Sequence, residues 1–340
     1  MKKFYIEHEG RVIATNDTYT HVMAITLDPT TNYHLGVVRC ITSREGEVTV
    51  KGYIDRSELH ILRGDSLEHF EVGERLVIQG EEALIARLTP PEYEFIGLED
   101  PDIWIDPQTN LLHLYFTIPI KPKNKNLNKS QKIKIHLGHA IGKDLFSLVM
   151  TEPVLLDTYA QSAKELSIAP LNSQGFRYNL IESRDRTAQT TFSIVQVAIT
   201  HNMGTAWQYG KIAFHPVTDG FPWIKGHGSP GPLFPKSFID VGENKLLGVI
   251  NGREANYEEN GVTKYGMFSV GLFIYNYEYG TIDWVSPEPL IQDREATTIT
   301  FASQFIETQS GEGILYCHVD DSFVRAYTLR AEDLRTLLPK

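Results

Sequence analysis

The sequence predicts an all-β fold, a five-bladed β-propeller forming one domain over residues 1–340 with a short C-terminal extension. Three observations predict it: many short strand-like runs, few stretches of helical periodicity, and a regular recurrence of strand onsets. Residues 37–41, 47–53, 112–118, 133–140, 176–182, 192–200, 246–251, 267–275 and 313–317 are strand-like runs in a chain rich in Tyr and Phe, with Gly and Pro to punctuate the turns between them. Only AEDLRTLL, near the C-terminus, sustains a 3.6-residue apolar period long enough to predict a short helix.

The recurrence selects a propeller from the other all-β architectures. LDPTTNYHLGVV, from Leu27, and IDPQTNLLHLYF, from Ile105, share the pattern aliphatic-Asp-Pro-x-Thr-Asn followed by an alternating strand. This is turn chemistry: proline fixes φ, while Asp28 and Asp106 cap the bend with their side chains. Strand onsets then recur at Leu112, Tyr178, Leu246 and Leu315, separated by 66, 68 and 69 residues. Each is followed by a second strand-rich segment: KIKIHLGHAIGKDLFS, TFSIVQVAITHNMGTAW, YGMFSVGLFIYN and SFVRAYTL, with SELHILRGDSLEHF in the first repeat. A period of about 68 divides the chain into five units, longer than the common blade of ~40–50 residues and leaving room for loops around a central funnel. The basic stretch KPKNKNLNKSQK, from Lys121, reads as a loop within a blade.

Charge and composition exclude several classes. With 43 acidic against 32 basic residues and a net charge of −11, the chain lacks the basic footprint of a nucleic-acid or anionic-membrane binder. No apolar run approaches the ~20 residues of a spanning helix, and MKKFYIEHEGRV has no apolar stretch behind its lysines, so no signal peptide is expected. Cys40 and Cys317 are too few for a disulfide framework or a zinc knuckle. His8, His21, His34, His60 and His113 lack metal-ligand spacing, so neither metal nor cofactor is expected. A soluble, cytoplasmic chain is the resulting expectation.

In a propeller the inner strands converge on one axis, so polar residues on them can form a single constellation. GLEDPDIWID carries Glu99, Asp100, Asp102 and Asp106; strand alternation puts Asp100 and Asp102 on one face and Glu99 on the other. A carboxyl in a low-dielectric funnel beside other carboxyls has a raised pKa and serves as a general acid; the alternative is a capped turn with Asp102 solvated. WIKGHGSPGPLF is too rich in Gly and Pro for a regular strand interior. It reads either as a loop bringing His227 and Ser229 to a ligand or as a rigid inter-blade connection. Lys164 is a candidate phosphate or sugar contact and Glu182 a general base, against a solvated charge pair and a strand-end carboxylate. Asn251, Arg253 and Glu254 end the strand LLGVING, and HVDDSF places Asp320 and Asp321 at the end of another strand or in a hairpin turn. Trp104, Tyr115 and Trp223 could stack on sugar faces, with Trp104 the better core residue.

Taken together, these segments resemble the five-bladed propeller glycosidases and are most similar to glycoside hydrolase family 130, the mannoside phosphorylases and β-mannosidases. The resemblance runs from residue 16 to 329 and rests on dispersed motifs. GLEDPDIW matches the family's Glu-Asp-Pro-Arg segment, which implies Asp100 as proton donor. Lys164-Glu165 is similar to its Lys-Asp segment, where the lysine meets phosphate, and HGSPGPLF resembles its Gly-x-Gly-Pro-Pro-Pro loop. ILYCHVDDSFVRAYTL looks like the closing Tyr-Gly-Ala-Ala-Asp segment, whose Asp holds the −1 sugar and is best matched by Asp320. The chain departs from the family at Asp102, which stands where the family has Arg, and at Asn251, which stands where a phosphate-binding His is supplied. Ser183-Arg184 replaces a His-Arg pair, and Arg56-Ser57 reverses a Ser-Arg pair.

The resemblance therefore implies an inverting glycosidase acting on a mannose-containing oligosaccharide or glycoside. Asp100 would be the acid and Glu182 or Glu254 the base, with Asp102, Lys164, His227, Ser229, Asn251, Arg253 and Asp320 contacting substrate. The departures favour water as the nucleophile. Phosphorolysis with inorganic phosphate, an arabinanase-like or fructosidase-like propeller, and a carbohydrate-binding propeller without chemistry remain the alternatives. A homo-oligomer is compatible with all of them.

Overall fold

The computed structural model describes residues 3–15, 18, 19, 21–124, 133–158, 160–186 and 192–339. Most of the basic loop expected after Lys121 lies outside the described residues. The chain is mostly strand and runs as consecutive antiparallel meanders. The first comprises Val22–Leu27, Leu35–Glu45, Ile54–Ser66 and His69–Arg75; the next, Glu99–Ile105, Leu112–Pro122, Lys134–Gly142 and Val149–Met150. Then follow Lys164–Ser167, Arg177–Asp185, Phe192–Thr200 and Gln208–Phe214, and after them His227–Leu233, Lys245–Arg253, Phe268–Asn276 and Thr281–Val285. These last two meanders form one eight-stranded sheet, joined between them by the parallel bridge Ser193↔His227. Thr300–Gln309, Glu312–Val319 and Phe323–Arg330 form the final sheet, whose fourth strand is the N-terminal Tyr5–Glu7, registered Tyr5↔Leu329.

The predicted onsets at Leu112, Tyr178, Leu246 and Leu315 all fall in second strands. Those strands are buried on both faces, so they read as continuous apolar runs rather than alternating ones. The first strands touch one another in a closed cycle, from Val22–Leu27 through each meander in turn and back from Thr300–Gln309 to Val22–Leu27. Each large hydrophobic cluster is shared by neighbouring meanders: Val37, Leu59 and Ile61 pack on Leu112, Leu114 and Phe116, and Leu247 and Leu272 on Leu315 and Tyr327. The core therefore lies between the sheets, and the axis carries charged side chains together with apolar ones.

Three local expectations are corrected. Residues 47–53 form turns carrying an isolated bridge at Val50, not a strand. His227–Leu233 is a strand despite its glycines and prolines, because it is a first strand whose pairing with Lys245–Arg253 shifts register between Pro230 and Leu233, where ladder donors are not required. A helix at Glu81–Leu88 has no counterpart in the sequence reading, whereas the helix expected in AEDLRTLL forms over Ala331–Arg335. Among the described residues no helix is long and apolar enough to cross a membrane.

One buried polar contact bears on stability. His113 Nδ1 and His139 Nε2 are 2.9 Å apart, and His139 Nδ1 is 2.7 Å from Thr151 Oγ1. Burial lowers the affinity of both rings for protons, pushing His139 down to about 3. A depressed histidine contributes stability that is complete above its unfolded value near 6.5 and is lost as pH falls below it. Urea unfolding should therefore show stability declining below pH ~6.5, at up to about 1 kcal/mol per pH unit, with a shallower decline between pH ~6.5 and ~5 in His139→Gln.

Candidate functional site

The first strands share an irregularity that builds the site. Each has a register shift: at Met23/Ile25, Glu99/Asp102, Lys164/Leu166, Pro230/Leu233 and Ala302/Gln304. A bulge inserts an extra residue and re-aims side chains. Ala24, Asp100 and Glu165 occupy such positions with φ of 47°, 49° and 49°, a left-handed conformation that a non-glycine residue adopts only where its surroundings enforce it. Just before Asp100, Gly97 has φ +121°, and a Cβ there would lie 2.0 Å from the Ser57 carbonyl oxygen. Only glycine allows this close approach of the two meanders.

The bulges at Met23, Glu99-Asp100 and Lys164-Glu165 open onto an axial cavity of about 800 Å³. Arg39, from the second strand of the first meander, reaches across it with Nη1 2.9 Å from Asp100 Oδ1 and Nη2 2.7 Å from Glu99 Oε1. Burial pushes the Glu99 carboxyl up to about 7, with Arg39 opposing the shift and Asp100 adding to it. Burial first, and the adjacent Asp100 next, raise Glu165 well above the usual carboxyl range, against the pull of Lys164. The Asp100 charge beside it thus favours the protonated form of Glu165, and Asp100 Oδ2 is itself buried with no hydrogen-bond partner among the described residues.

Glu182 has the opposite character. It is 2 % exposed, yet His227 and Lys164 hold it well below the carboxylate range against burial, with Ser229 beside it. Lys164 Nζ lies 3.7 Å from Glu182 Oε2, and His227 Nε2 lies 3.0 Å from the same oxygen. Burial lowers His227 below its ordinary value, so at neutral pH the ring is the neutral N–H donor and Lys164 is the counter-ion. Burial also works against the Lys164 charge, but Glu182, Asp100, Glu165 and Glu99 hold it above the ordinary lysine value.

On another wall, Asp321 accepts a hydrogen bond from the Tyr53 hydroxyl and lies 3.3 Å from His318 Nε2. These partners and Arg39 keep it well below the carboxylate range although it is buried. Asp320 turns the other way: its carboxylate accepts from the backbone N–H groups of Thr297, Thr298 and Ile299, each at 2.8 Å, and fixes that loop.

Of the residues singled out from sequence, Asp100, Lys164, Glu182, His227 and Arg253 line the cavity. Ser229 is fully buried behind His227. Asp102 does not line it, because the bulge between Glu99 and Asp102 breaks the two-residue period; Glu99 and Asp100 face Arg39 together. Asn251 joins two sheets instead, its side-chain amide exchanging hydrogen bonds with the Ala302 backbone at 2.8 and 3.1 Å. Glu254 is exposed and stands outside the cavity, one residue past Arg253 and of opposite parity. Tyr115 and Trp223 are core residues with hydroxyl and indole N–H bonded to backbone carbonyls, and Trp104 packs edge-on against His113. The aromatic side chains that do line the cavity are Tyr53, Phe192, Tyr265, Phe268 and Phe301. Sequence reasoning also missed Arg39, Arg184 and Asp321 as cavity residues.

Arg184 lines the cavity with no hydrogen bond or ion pair among the described residues, and burial lowers its affinity for its proton. Arg253 sits 4.4 Å from the Tyr265 ring centre, hydrogen-bonds the Asn256 side chain, and has a buried Nε with no partner among the described residues. Both are desolvated cations with no ion pair among the described residues, although the Glu182 charge acts on each.

The sheets close a cycle around a carboxyl-lined axial cavity, a propeller arrangement, and solved structures share the fold. A β-1,2-mannobiose phosphorylase from Listeria innocua matches over 97 % of this chain and 94 % of its own, with a TM-score of 0.61 and 15 % identity. A protein from Parabacteroides distasonis, provisionally assigned as a glycoside hydrolase, matches over 96 % and 97 %, with a TM-score of 0.65 and 16 % identity. An endo-arabinase from Bacteroides thetaiotaomicron matches over 95 % and 97 %, at 0.54 and 11 %. At these identities the likeness is one of fold. No family model matches the sequence, and no curated protein matches it.

Proposed function

We propose that this chain is a five-bladed propeller glycoside hydrolase that cleaves a mannose-containing oligosaccharide or glycoside with inversion. The two halves of the eight-stranded sheet count as separate blades in this reading. The observation that carries it is the division of labour among the cavity carboxyls: burial and the adjacent Asp100 push Glu165 toward its protonated form, while Glu182 in the same cavity is held ionised. Paired titratable groups pushed apart by their environments assign acid and base. The proton held by Glu165 passes through Asp100 to the leaving glycosidic oxygen as the bond to the anomeric carbon breaks. Water attacks that carbon from the opposite face and its proton passes to Glu182, the course of an inverting enzyme. Asp321 and the Tyr53 hydroxyl supply contacts for the sugar. Mannose as the sugar is supported by the motif resemblance and by the fold shared with the Listeria mannobiose phosphorylase.

A second reading rests on a specific observation. Glu182, with its low proton affinity, is a weak base, and Arg184 and Arg253 face the cavity with no ion pair among the described residues. Inorganic phosphate would use those cations and needs no base. The two readings part in one assay: incubate the protein with β-mannosides with and without phosphate and chromatograph the products. Free mannose at equal rates in both is expected for hydrolysis, and sugar 1-phosphate formed only with phosphate assigns phosphorolysis. No release from any mannoside in either buffer would remove both.

A further inference from the structure

A hairpin outside the sheets rises from the cavity wall, where its flanking residues Ala255, Asn256 and Tyr265 line the cavity. Tyr257–Glu259 pairs with Val262–Lys264 around Asn260 and Gly261, and leaves its meander between Lys245–Arg253 and Phe268–Asn276. It docks on the turns at 47–53 of the first meander: Lys51 N donates to Thr263 O at 3.1 Å, Tyr265 N to Thr49 O at 3.0 Å, and Gly52 N to the Tyr265 hydroxyl at 3.3 Å. The Tyr53 and Tyr265 rings meet edge to face at 6.2 Å. The two connected meanders are not neighbours; the sheet of Thr300–Gln309, Glu312–Val319 and Phe323–Arg330 lies between them, and its Phe301, His318 and Asp321 line the cavity in that sector.

We propose that this hairpin is a fixed strap that closes the Asp321 side of the cavity, so that only the end unit of a glycan can seat there and the rest of the chain leaves past Phe192 and Lys225. The inference rests on the reading of the cavity as a glycan site. The fold does not set this choice, since it also carries an endo-arabinase. Here the strap does, and Tyr53 and Tyr265, which line the cavity where the strap docks, are the specificity-determining side chains. Tyr53 is tied to Asp321, and Tyr265 is stacked on Arg253, so both walls are held in place.

The strap can be tested in its own right and through the products. Lys51 N→Thr263 O and Tyr265 N→Thr49 O flank the bridge Val50↔Lys264, which makes it a non-hydrogen-bonded pair. The Cα atoms of such a pair lie about 4.5 Å apart, within reach of a disulfide; the native Cys40 and Cys317 are buried and do not compete. Three measurements are made: amide exchange at Lys51 and Tyr265 in the wild type, products from linear manno-oligosaccharides in oxidised V50C/K264C, and products from a variant with residues 257–264 replaced by two glycines. Slow exchange, monosaccharide-type products from the wild type and the locked protein, and added oligosaccharide products from the shortened one are expected. Fast exchange at both amides overturns the strap whatever the activity. Slow exchange with oligosaccharides from the wild type, with unchanged products on shortening, or with a block in the locked protein that reductant reverses, overturns the chain-end role. Slow exchange with no release from any variant overturns the glycan reading itself, and the inference with it.

Discussion

Asp100→Asn is expected to lower sugar release by roughly 10²- to 10⁴-fold, the usual contribution of a positioned proton donor, with little change in the melting temperature. Asparagine is among the residues that best tolerate a left-handed backbone, so φ of 49° at position 100 is no obstacle to folding. Its carbonyl oxygen can still accept from Arg39, whose Nη1 lies 2.9 Å from Asp100 Oδ1. What disappears is the proton relay. Glu165 is raised by burial first and by the Asp100 charge second, so removing that charge moves it back toward the ordinary carboxyl range and leaves an amide at position 100, with no carboxyl oxygen to take up a proton and pass it onward. Product chromatography and a thermal melt on the same preparation check this. Release within a few-fold of wild type at an unchanged melting temperature would take Asp100 out of the proton transfer.

What sequence made legible follows a physical line. Second strands buried on both faces read as long apolar runs, and their recurrence gave the repeat; the Asp-Pro-x-Thr-Asn turns gave its phase. The inner strands are where alternation misleads, because each carries a bulge. At Glu99-Asp100-Pro101-Asp102 the bulge aims two consecutive carboxyls at Arg39 and takes Asp102 off that face. At Asp320-Asp321 both residues have positive φ, 49° and 48°, so no period predicts which one enters the cavity; the one that caps Thr297, Thr298 and Ile299 is Asp320, and Asp321 is left to face inward. Arg39 was hidden for another reason. It lies on a second strand among apolar residues, LGVVRCI, where a single arginine carries no motif; its partners are 60 and 61 residues away and become visible only once the two meanders pack.

Arg39 also carries the second large effect, this time on stability. The side chain comes from one meander and binds the first strand of the next, so it staples two sheets while orienting the acid. Removing one partner of a buried ion pair leaves charge without compensation and costs about 3–5 kcal/mol. Arg39→Met should lie at the low end, about 3 kcal/mol, because Glu99, already raised to about 7, can take a proton instead of staying charged. The same escape fixes the pH dependence. Without the arginine, the Glu99 carboxyl rises further above its unfolded value. Below its wild-type folded value of about 7 the group is protonated in both folded proteins and the loss is small; it grows as pH climbs past that value. Urea unfolding of wild type and Arg39→Met at pH ~5 and ~8 should therefore give a larger difference at the higher pH, with Arg39→Lys between the two because it keeps the charge and loses the planar fork. A loss of about 1 kcal/mol or less at both values, the size of an exposed pair, would mean that the carboxyls at the axis are wetter than the cavity implies. The raised proton affinity of Glu165 depends first on that same dryness, so the acid of the proposed reaction stands or falls with the burial that the arginine shares.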